Sequence, residues 1–412
     1  MKILIITAYY PPCDYGWGYM RICEQVADGL HERGHQIEVL TSTYRHGEEF
    51  KPYPVQRSLH IDPDWLLPQS AMQQFFRGRR QREQADIDSL QQMVRRMQPD
   101  VIFVWHAHGL SRAMLQVAEA LPQTKVVYYF ANYLPELPDE YEEYWEAEAE
   151  QPLARLIKTP LAKIALWQLR REGKPIRLRY EHSISVSHYV RDRLRSLIGR
   201  DAVVIPNGID VGMFHHAVPP VQSGPLRCVI AGRVATEKGI HTVLEAMGLL
   251  RQRHALQDIT LTIVGDGPSD YRQQLEAQVA RHGLAPFVTF APPVPVAEMP
   301  QVMAAHQVLL LPSEWDEPLS CTMLEAMSAG LMVIGTTTGG SGEALAHEQT
   351  GLTFPAKDAE ALAAQLLRVM QERELVPSLA AAAQREVEAH FTIDDTVARI
   401  EAHLQALVQG VN

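Results

Sequence analysis

Residues 2–41 read KILIITAYYPPCDYGWGYMRICEQVADGLHERGHQIEVLT, and this stretch indicates the fold class. It begins with the apolar run KILII at 2–6, which is typical of a parallel strand buried on both faces. After a loop that contains proline and glycine, residues 20–34 show helical periodicity that ends at Gly34, and QIEVLT predicts a second strand. A strand, a loop, a helix and a second strand in succession are the opening of a doubly wound α/β domain.

The same alternation continues along the chain and then begins again. Helical patterns near 81–97 and at 111–121 alternate with the apolar runs DVIFVW and KVVYYF. A Pro/Gly-rich stretch without periodicity predicts a linker, after which RCVIAGR opens a second α/β series. We therefore predict two Rossmann-like, doubly wound domains that face a central cleft. The predicted parts are an N-terminal domain at 1–208, a linker at 209–225, a C-terminal domain at 226–390 and a helix within 391–412 that crosses back to the first domain.

Composition and charge exclude several classes of protein. The 412 residues are 46% hydrophobic and 21% charged, as in globular proteins. The net charge of −11 argues against nucleic acid as the main partner. Four scattered cysteines form no CxxC pair, so we expect neither a disulfide framework nor a zinc site, and a reducing cytoplasm fits. The N-terminus lacks the features of a signal peptide, and no run of 18 apolar residues predicts a membrane span.

One segment interrupts the alternation of strands and helices. Residues 136–150 are acidic, whereas residues 153–179 are basic and amphipathic. One interpretation is a helical excursion whose opposite charges pair with one another or face water. The other is an acceptor-binding or membrane-surface helix, with Leu, Ile and Trp side chains entering the interface beside Arg and Lys, at the inner face of the membrane. Pro160 predicts that this helix is kinked or divided.

Residues 312–343, PSEWDEPLSCTMLEAMSAGLMVIGTTTGGSGE, are the most informative about chemistry. Glu317 precedes a proline, which disfavours helix at the glutamate and predicts a loop, whereas Glu325 falls within the next predicted helix. A loop that enters a helix leaves N–H groups free at 319–321, and the helix dipole favours an anion there. A carboxylate on each side of an anion site suits a ligand with a central diphosphate and hydroxyl groups at both ends. Taken alone, however, two glutamates and a helix start are ordinary surface features.

A second cluster, AGRVATEKGI at 231–240, follows a predicted strand. Arg233 and Lys238 therefore belong to the loop at the carboxyl end of that strand, where open α/β sheets bind ligands. Two cations five residues apart can neutralise a diphosphate leaving group without a metal. In isolation, an exposed arginine and a lysine near a helix start would explain the same residues.

Taken together, the two clusters resemble the retaining glycosyltransferases of family 4, which adopt the two-domain GT-B fold. The resemblance is strongest within 205–355, through the ordered series PNGID, GRVATEKG, VGDGP, PSEWDEPLSCTMLEAMSAG, TGG and TGLTF. It is looser in the first half, where YYPP, ERGHQIEVLT and PDVIFV agree. The Glu-x7-Glu signature with an upstream Arg-x4-Lys is specific, and the resemblance extends over nearly the whole chain.

The resemblance implies a role for each matching position. Glu317 corresponds to the glutamate that hydrogen-bonds the donor sugar beside the reacting carbon. Glu325 corresponds to the one that holds the ribose hydroxyls of the nucleotide. Arg233 and Lys238 correspond to the pair that binds the donor phosphates. We expect these four side chains to form the donor site.

Further donor contacts are implied at positions that partly depart from the family. The backbone N–H groups of Leu319 and Ser320 are expected to hold phosphate and sugar. The family usually has glycine where Ser320 stands, so the serine narrows the space for the sugar. Recognition of the base is expected through the backbone near Val294. The family often has Gly-Gly after its first strand, and Gly18 is the one glycine retained of that pair.

The acceptor side of the first domain departs further. Trp17 occupies the other position of the Gly-Gly pair, and Gly16 is expected to compensate for the lost flexibility. Trp17 either stacks on an acceptor sugar ring or closes the domain interface. A histidine often ends the fourth strand in this family, but here Trp105 falls at that place. His106 and His108 follow directly. One interpretation is that one of them lies near the reacting sugar, and the other is that it lines the cleft or caps a helix.

We therefore expect a retaining hexosyltransferase that moves a sugar from a nucleoside-diphosphate donor to a saccharide, lipid-linked or small-molecule acceptor. No cofactor or metal is expected, because neither Asp-x-Asp tripeptide, at 62–64 and 86–88, follows a buried strand. The alternatives are a GT-B-fold epimerase that acts on the sugar nucleotide itself and a non-catalytic protein that binds nucleotide sugars. The identity of the base, the sugar and the acceptor stays open.

Overall fold

The computed structural model describes residues 1–410 except 14–16, 46, 49, 65–66, 68, 137–138, 150–151, 217–223 and 257. The chain forms two compact units. The first unit comprises Met1–Ser185, Val190–Ile205 and Val397–Asn412, and the second comprises Val186–Tyr189 and Pro206–Thr396.

The two units are built from strands and helices that alternate along the chain. The strands are β1 (Lys2–Thr7), β2 (Gln36–Ser42), β3 (Val55–Leu59), β4 (Val101–Val104), β5 (Lys125–Phe130), β6 (His182–Ser185), β7 (Val203–Val204), β8 (Leu226–Ala231), β9 (Ile259–Val264), β10 (Val288–Ala291), β11 (Val308–Leu311), β12 (Met332–Gly335) and β13 (Gly351–Thr353). The helices are α1 (Trp17–Glu32), α2 (Ala71–Phe76), α3 (Arg79–Met97), α4 (Arg112–Glu119), α5 (Glu140–Glu146), α6 (Pro152–Arg171), α7 (His188–Ile198), α8 (Val211–Phe214), α9 (Ile240–Gln252), α10 (Ser269–Arg281), α11 (Met299–Ala304), α12 (Cys321–Ser328), α13 (Ala359–Gln371), α14 (Leu375–His390) and α15 (Ile393–Gln409).

The first unit contains a parallel sheet in the order β3-β2-β1-β4-β5-β6-β7. Its central strands β1 and β4 are buried almost throughout, as their unbroken apolar sequences predict. The strand β3 was not predicted from the sequence. Its residues, VQRSL, lie at the edge of the sheet and are mostly half-buried, so they carry no apolar run that would reveal a strand.

The second unit contains a parallel sheet in the order β10-β9-β8-β11-β12-β13. Its core joins the buried strand residues to helices α9 and α13. Eight residues of α9 are buried, because its sequence IHTVLEAMGLL is apolar on more than one face. The prediction of two Rossmann-like, doubly wound domains is therefore confirmed.

In each sheet the strand order reverses between two neighbouring strands. This happens between β1 and β4 in the first unit and between β8 and β11 in the second. Loops that leave the carboxyl ends of such strands diverge to opposite sides, and the crevice between them is where open α/β sheets bind ligands. The loops after β8 and β11 carry Arg233, Lys238 and Glu317, so the topology brings the two predicted clusters to one place.

The basic amphipathic segment forms one helix. Helix α6 runs through Pro160 without interruption, so the predicted division of the helix is wrong. Its inner side packs in a small cluster in which Ala165 and Leu169 are buried with Phe75, Tyr141 and Trp145. These contacts stabilise the helix after the proline, and before it the Nζ of Lys158 donates to the carbonyl oxygen of Ala147 at 2.7 Å. Together they outweigh the loss of one backbone hydrogen bond at Pro160. Among the described residues, no helix has the length and apolar character needed to span a bilayer.

The segment predicted as a linker contains the short helix α8, and its residues 217–223 lie outside the described part of the chain. The last helix, α15, begins in the second unit, and from Val397 onward it belongs to the first. There, Glu401 accepts hydrogen bonds from Arg33 at 2.8 Å and from His35 at 2.7 Å.

Candidate functional site

The loops that follow β8 and β11 lie in direct backbone contact in the second unit. The N–H of Glu314 donates to the carbonyl oxygen of Glu237 at 2.8 Å. Gly239 has a φ of +66°, and a Cβ at this position would lie 2.0 Å from the carbonyl oxygen of Pro312. Only glycine fits both the conformation and this approach, so Gly239 allows the two loops to meet.

Glu317 and Lys238 form an ion pair where these loops meet. The Nζ of Lys238 lies 2.5 Å from Oε1 of Glu317, and the Oγ of Ser313 donates to the same oxygen at 2.6 Å. Glu317 is only 5% exposed, and a carboxylate at that depth needs such partners. Lys238 also lies 5.2 Å from the centre of the Trp315 ring, which attracts the cation. The ion pair thus holds both predicted side chains in position at the site.

Helix α12 begins directly beside this pair. Ser320 is its N-cap, and the side-chain oxygen accepts a hydrogen bond from the N–H of Met323 at 3.3 Å. Leu319 and Ser320 are both buried. The first turn of a helix presents N–H groups that have no partner within the helix, which makes it a suitable site for an anion. Ser320, at a position where the resemblance implies glycine, therefore has a structural role, because it stabilises the N-terminus of this helix.

Three charged side chains act electrostatically on Cys321, the first residue of α12. Burial, followed by the negative charges of Glu325 and Glu317, raises the pKa of the Cys321 thiol to about 12, and Lys238 opposes the shift. All three charged side chains are therefore within electrostatic range of this one thiol. Glu325, one turn along α12, thus acts on the same thiol as Glu317 and Lys238.

Two glycines hold the Glu317 loop from the other side. The N–H of Gly340 donates to the carbonyl oxygen of Glu317 at 2.7 Å. A Cβ on Gly339 would lie 2.1 Å from the same oxygen, and one on Gly340 would lie 2.0 Å from the carbonyl oxygen of Pro318. Gly339 and Gly340 thus allow two backbone segments to come into contact, and this contact determines the position of Glu317.

Two further predicted donor residues lie in the loops after β8 and β10. Arg233 pairs with Glu237 at 2.5 Å and is partly exposed. Val294 is half-buried and follows β10, at the edge of the sheet. Ser313 and Gly339 were missed by the sequence reasoning, although both lie within the 312–343 stretch that it singled out.

In the first unit, His106 lies in an aromatic environment after β4. Its ring centre is 5.8 Å from that of Tyr9 and 5.7 Å from that of Tyr19. Trp105 is buried, and its ring stacks on Tyr129 at 4.1 Å, so this tryptophan is part of the core. His108 is exposed. The two tyrosines were not predicted, although they flank the loop that contains the Gly-Gly position.

The other first-unit candidates lie at the start of α1. Helix α1 begins at Trp17, and Gly18 follows in its first turn and is partly exposed. Gly16 lies outside the described residues. The first unit therefore shows His106, Trp105 and His108 together after β4, and Trp17 and Gly18 together in α1.

The two Asp-x-Asp tripeptides are engaged in other contacts. Asp62 pairs with Arg82 at 2.8 Å, and Asp86 pairs with His60 at 2.7 Å. The Tyr141 hydroxyl also donates to Asp62. Among the residues that the structure describes, no group of three or more His, Cys, Asp and Glu side chains is arranged to hold a metal ion.

Comparison with known protein families matches both halves of the chain. A model described as "Glycosyltransferase Family 4" matches residues 18–212, and one described as "Glycosyl transferases group 1" matches residues 225–372. Together with the two Rossmann-like sheets, these matches define a glycosyltransferase of the GT-B type. The chain belongs to glycosyltransferase family 4.

Several known proteins are similar to parts or all of the chain. Glycogen synthase from Mycobacterium tuberculosis is 29% identical over 211 residues, which are 50% of this chain and 50% of that protein. A GDP-mannose-dependent alpha-(1-6)-phosphatidylinositol monomannoside mannosyltransferase from the same species is 28% identical over 238 residues, 53% of this chain and 60% of that protein. The alignments thus span about half the length of these curated relatives.

A solved structure extends the likeness to nearly the whole chain. The crystal structure of HepE from Anabaena in complex with UDP-glucose has a TM-score of 0.68 and 19% identity, and the match covers 98% of this chain and 100% of that chain. At that level of identity the match shows the shared fold.

Proposed function

We propose that this protein is a retaining glycosyltransferase that moves a hexose-type sugar from a nucleoside-diphosphate sugar to an acceptor hydroxyl. The observation that carries the proposal is the Lys238–Glu317 ion pair beside the start of α12. It combines a cation and helix N–H groups for a diphosphate with a buried carboxylate for sugar hydroxyls. We propose a role in glycan, polysaccharide or glycolipid biosynthesis.

Each donor-site residue receives one task in this proposal. Lys238 and Arg233 neutralise the diphosphate as it departs, without a metal ion. The N–H groups of Leu319 and Ser320 bind phosphate and sugar. Glu317 hydrogen-bonds the sugar beside the reacting carbon, and Glu325 binds the ribose hydroxyls.

The proposed reaction is a same-face substitution. The bond between C1 of the sugar and the β-phosphate oxygen breaks, and a bond from C1 to the acceptor oxygen forms on the same face. The acceptor proton passes to the departing phosphate, so no strong protein nucleophile is needed. The protein contributes orientation and charge neutralisation. We assign the acceptor side to the first unit, with His106 as the residue that acts near the reacting sugar.

The donor class follows from a thermal-shift screen against UDP, GDP and ADP and their common sugars. HepE was crystallised with UDP-glucose, and the mannosyltransferase relative is GDP-mannose-dependent, so both bases belong in the screen. A ligand at 100 times its Kd stabilises the native state by about 2.7 kcal/mol, which gives a clear rise in Tm. We expect one nucleotide to raise Tm, and Glu325→Ala to remove most of that rise. No rise with any nucleotide would refute the donor site.

Product analysis then separates transfer from the alternatives. A transferase releases the nucleoside diphosphate together with a glycosylated product only when an acceptor is present. An epimerase converts the sugar nucleotide without an acceptor, and a binding protein changes neither compound. We further propose that the enzyme works in the cytoplasm at the inner face of the membrane and that its acceptor is a saccharide, a lipid-linked molecule or a small molecule.

A further inference from the structure

Helix α6 carries large apolar side chains on its exposed side. Leu156 is 74% exposed, Ile157 60%, Ile164 53% and Trp167 60%. Ile157, Ile164 and Trp167 follow one another at spacings of seven and three, and Leu156 is next to Ile157, so the four lie on one side of the helix. We call them, together with Lys163, Arg170 and Arg171, the outer face of α6.

The inner side of α6 packs in the small apolar cluster already described. Ala165 and Leu169 are buried against Phe75, Tyr141 and Trp145. Because α5 contributes Tyr141 and Trp145 to this cluster, the acidic helix lies against the inner side of α6. The apolar residues of the outer face therefore do not contribute to the core of the first unit. A contiguous exposed apolar surface of this kind marks an interaction site.

The charge of the outer face has one sign. Lys163, Arg170 and Arg171 are exposed, and none of them forms an ion pair with a carboxylate in the described part of the chain. The guanidinium of Arg171 lies 5.4 Å from the centre of the Trp167 ring. Between the acidic and basic segments, Arg155 pairs with Glu148, and Arg170 acts electrostatically on Glu142 of α5 without a direct ion pair. The positive surface is local, since the whole chain has a net charge of −11.

We propose that the outer face of α6 docks on a bilayer that contains anionic phospholipids, with the helix lying in the interface plane. Ile157, Ile164 and Trp167 enter the interface, while Lys163, Arg170 and Arg171 contact the lipid phosphates. A second copy of the chain fits this face poorly, because a two-fold contact would bring the same three cations of both copies together. The inference builds on the proposed function, since it implies that the acceptor is a lipid-linked molecule presented at that surface.

Vesicle co-sedimentation tests the charge requirement. We expect the full chain to bind vesicles of phosphatidylcholine with phosphatidylglycerol at low salt, and to bind weakly to phosphatidylcholine alone. High salt should release it, because the Debye length falls to about 3 Å at 1 M. Each cation near an anionic leaflet changes partitioning about fivefold, so Arg170→Gln with Arg171→Gln should lower it about 25-fold. The matched control, Arg253→Gln with Arg281→Gln, removes two exposed cations from the second unit and should bind as the unmodified chain does.

The apolar requirement has its own pair of variants. Ile164→Gln with Trp167→Gln should lower partitioning about tenfold, whereas the exposed control pair Phe50→Gln with Leu197→Gln should leave it unchanged. Trp fluorescence should be quenched by brominated lipid in the unmodified chain, and Trp167→Phe should reduce that quenching.

Three outcomes would overturn the proposal. The first is no binding to anionic vesicles at low salt, and the second is an equal loss of vesicle binding in the test and control pairs. The third is a dimer that Ile164→Gln with Trp167→Gln converts to monomer, because that result would assign the face to a second copy of the chain. The nucleotide-induced rise in Tm should be the same in all these variants. A chain that binds vesicles but shows no nucleotide shift would refute the proposed function and leave membrane docking in place, and the reverse result would refute docking alone.

Discussion

Replacing Gly339 by alanine should damage the donor site without altering any side chain proposed to touch the donor. Gly339 has a φ of +62°, and an added Cβ would lie 2.1 Å from the carbonyl oxygen and 2.7 Å from the nitrogen of Glu317. Ordinary van der Waals contact begins at 3.4 Å. The carbonyl oxygen of Glu317 would therefore have to move by about 1.3 Å, the difference between 3.4 Å and 2.1 Å. The whole loop would have to move with it, because a backbone oxygen cannot rotate away as a side chain can.

The magnitude follows from that displacement. A left-handed conformation costs an alanine about 1–2 kcal/mol, and overpacking adds about 1–3 kcal/mol. We expect the free energy of unfolding of the second unit to fall by about 2–5 kcal/mol, the sum of these two costs. A shift of about 1 Å at a reacting centre costs about 100-fold in rate, so kcat/KM should fall by that factor. Donor affinity should weaken as well, because Glu317 would leave its position beside Lys238.

Gly342→Ala provides the matched control in the same segment. Its added Cβ would meet Thr337 Cβ at 3.3 Å, and its φ is not in the left-handed region. Donor binding is measured by calorimetry, release of the nucleoside diphosphate by a coupled assay, and stability by denaturant unfolding. Donor affinity and turnover in Gly339→Ala that match those of Gly342→Ala would refute the argument that this close approach positions Glu317.

Measurements at four further residues test the site and the fold. Lys238→Ala should lower kcat by about 100- to 1,000-fold, because it removes a cation from the leaving group; an unchanged kcat in steady-state assays would exclude that role. Glu325→Ala should mainly weaken donor binding, and an equal donor affinity in calorimetry would contradict its assignment. The Cys321 thiol, whose pKa is raised to about 12, should resist iodoacetamide at pH 9 in the native state and react after unfolding; rapid native labelling seen by mass spectrometry would show that it is not buried. The stability contributed by that protonated thiol is present below pH 9.0 and should be lost as the pH rises towards 12. Burial opposes ionisation of Glu401, but Arg33 and His35 outweigh it and lower its pKa. Glu401→Gln should therefore reduce stability at pH 7 by about 1 kcal/mol, and the difference from the unmodified chain should vanish as the pH falls below 4.5; a difference that persists in acid unfolding curves would refute this ion pair.

Central strands could be predicted from the sequence because burial on both faces forces a continuous apolar run. The run at 2–6 became β1, and VIFV at 101–104 became β4. The strand β3 lies at the edge of the sheet and is mostly half-buried, so its polar sequence contains no continuous apolar run. Pro160 is a second case in which the local sequence did not predict the observed element. The local penalty at Pro160 predicted a kinked or divided helix, but α6 is continuous through the proline and packs through Ala165 and Leu169 against other helices.

The candidate site divides in the same way. Glu317, Ser320 and Glu325 could be placed on a loop, at a helix start and in the helix because they follow one another within nine residues, although their roles were implied only by the resemblance of both clusters together. Lys238 lies 79 positions from Glu317, and only the neighbouring places of β8 and β11 in the sheet bring its ammonium to 2.5 Å from the carboxylate. The approach of Gly339 to the Glu317 carbonyl likewise appears only when distant segments are packed together. Local propensities thus determine which elements form, whereas distances between functional groups depend on burial that all the elements share.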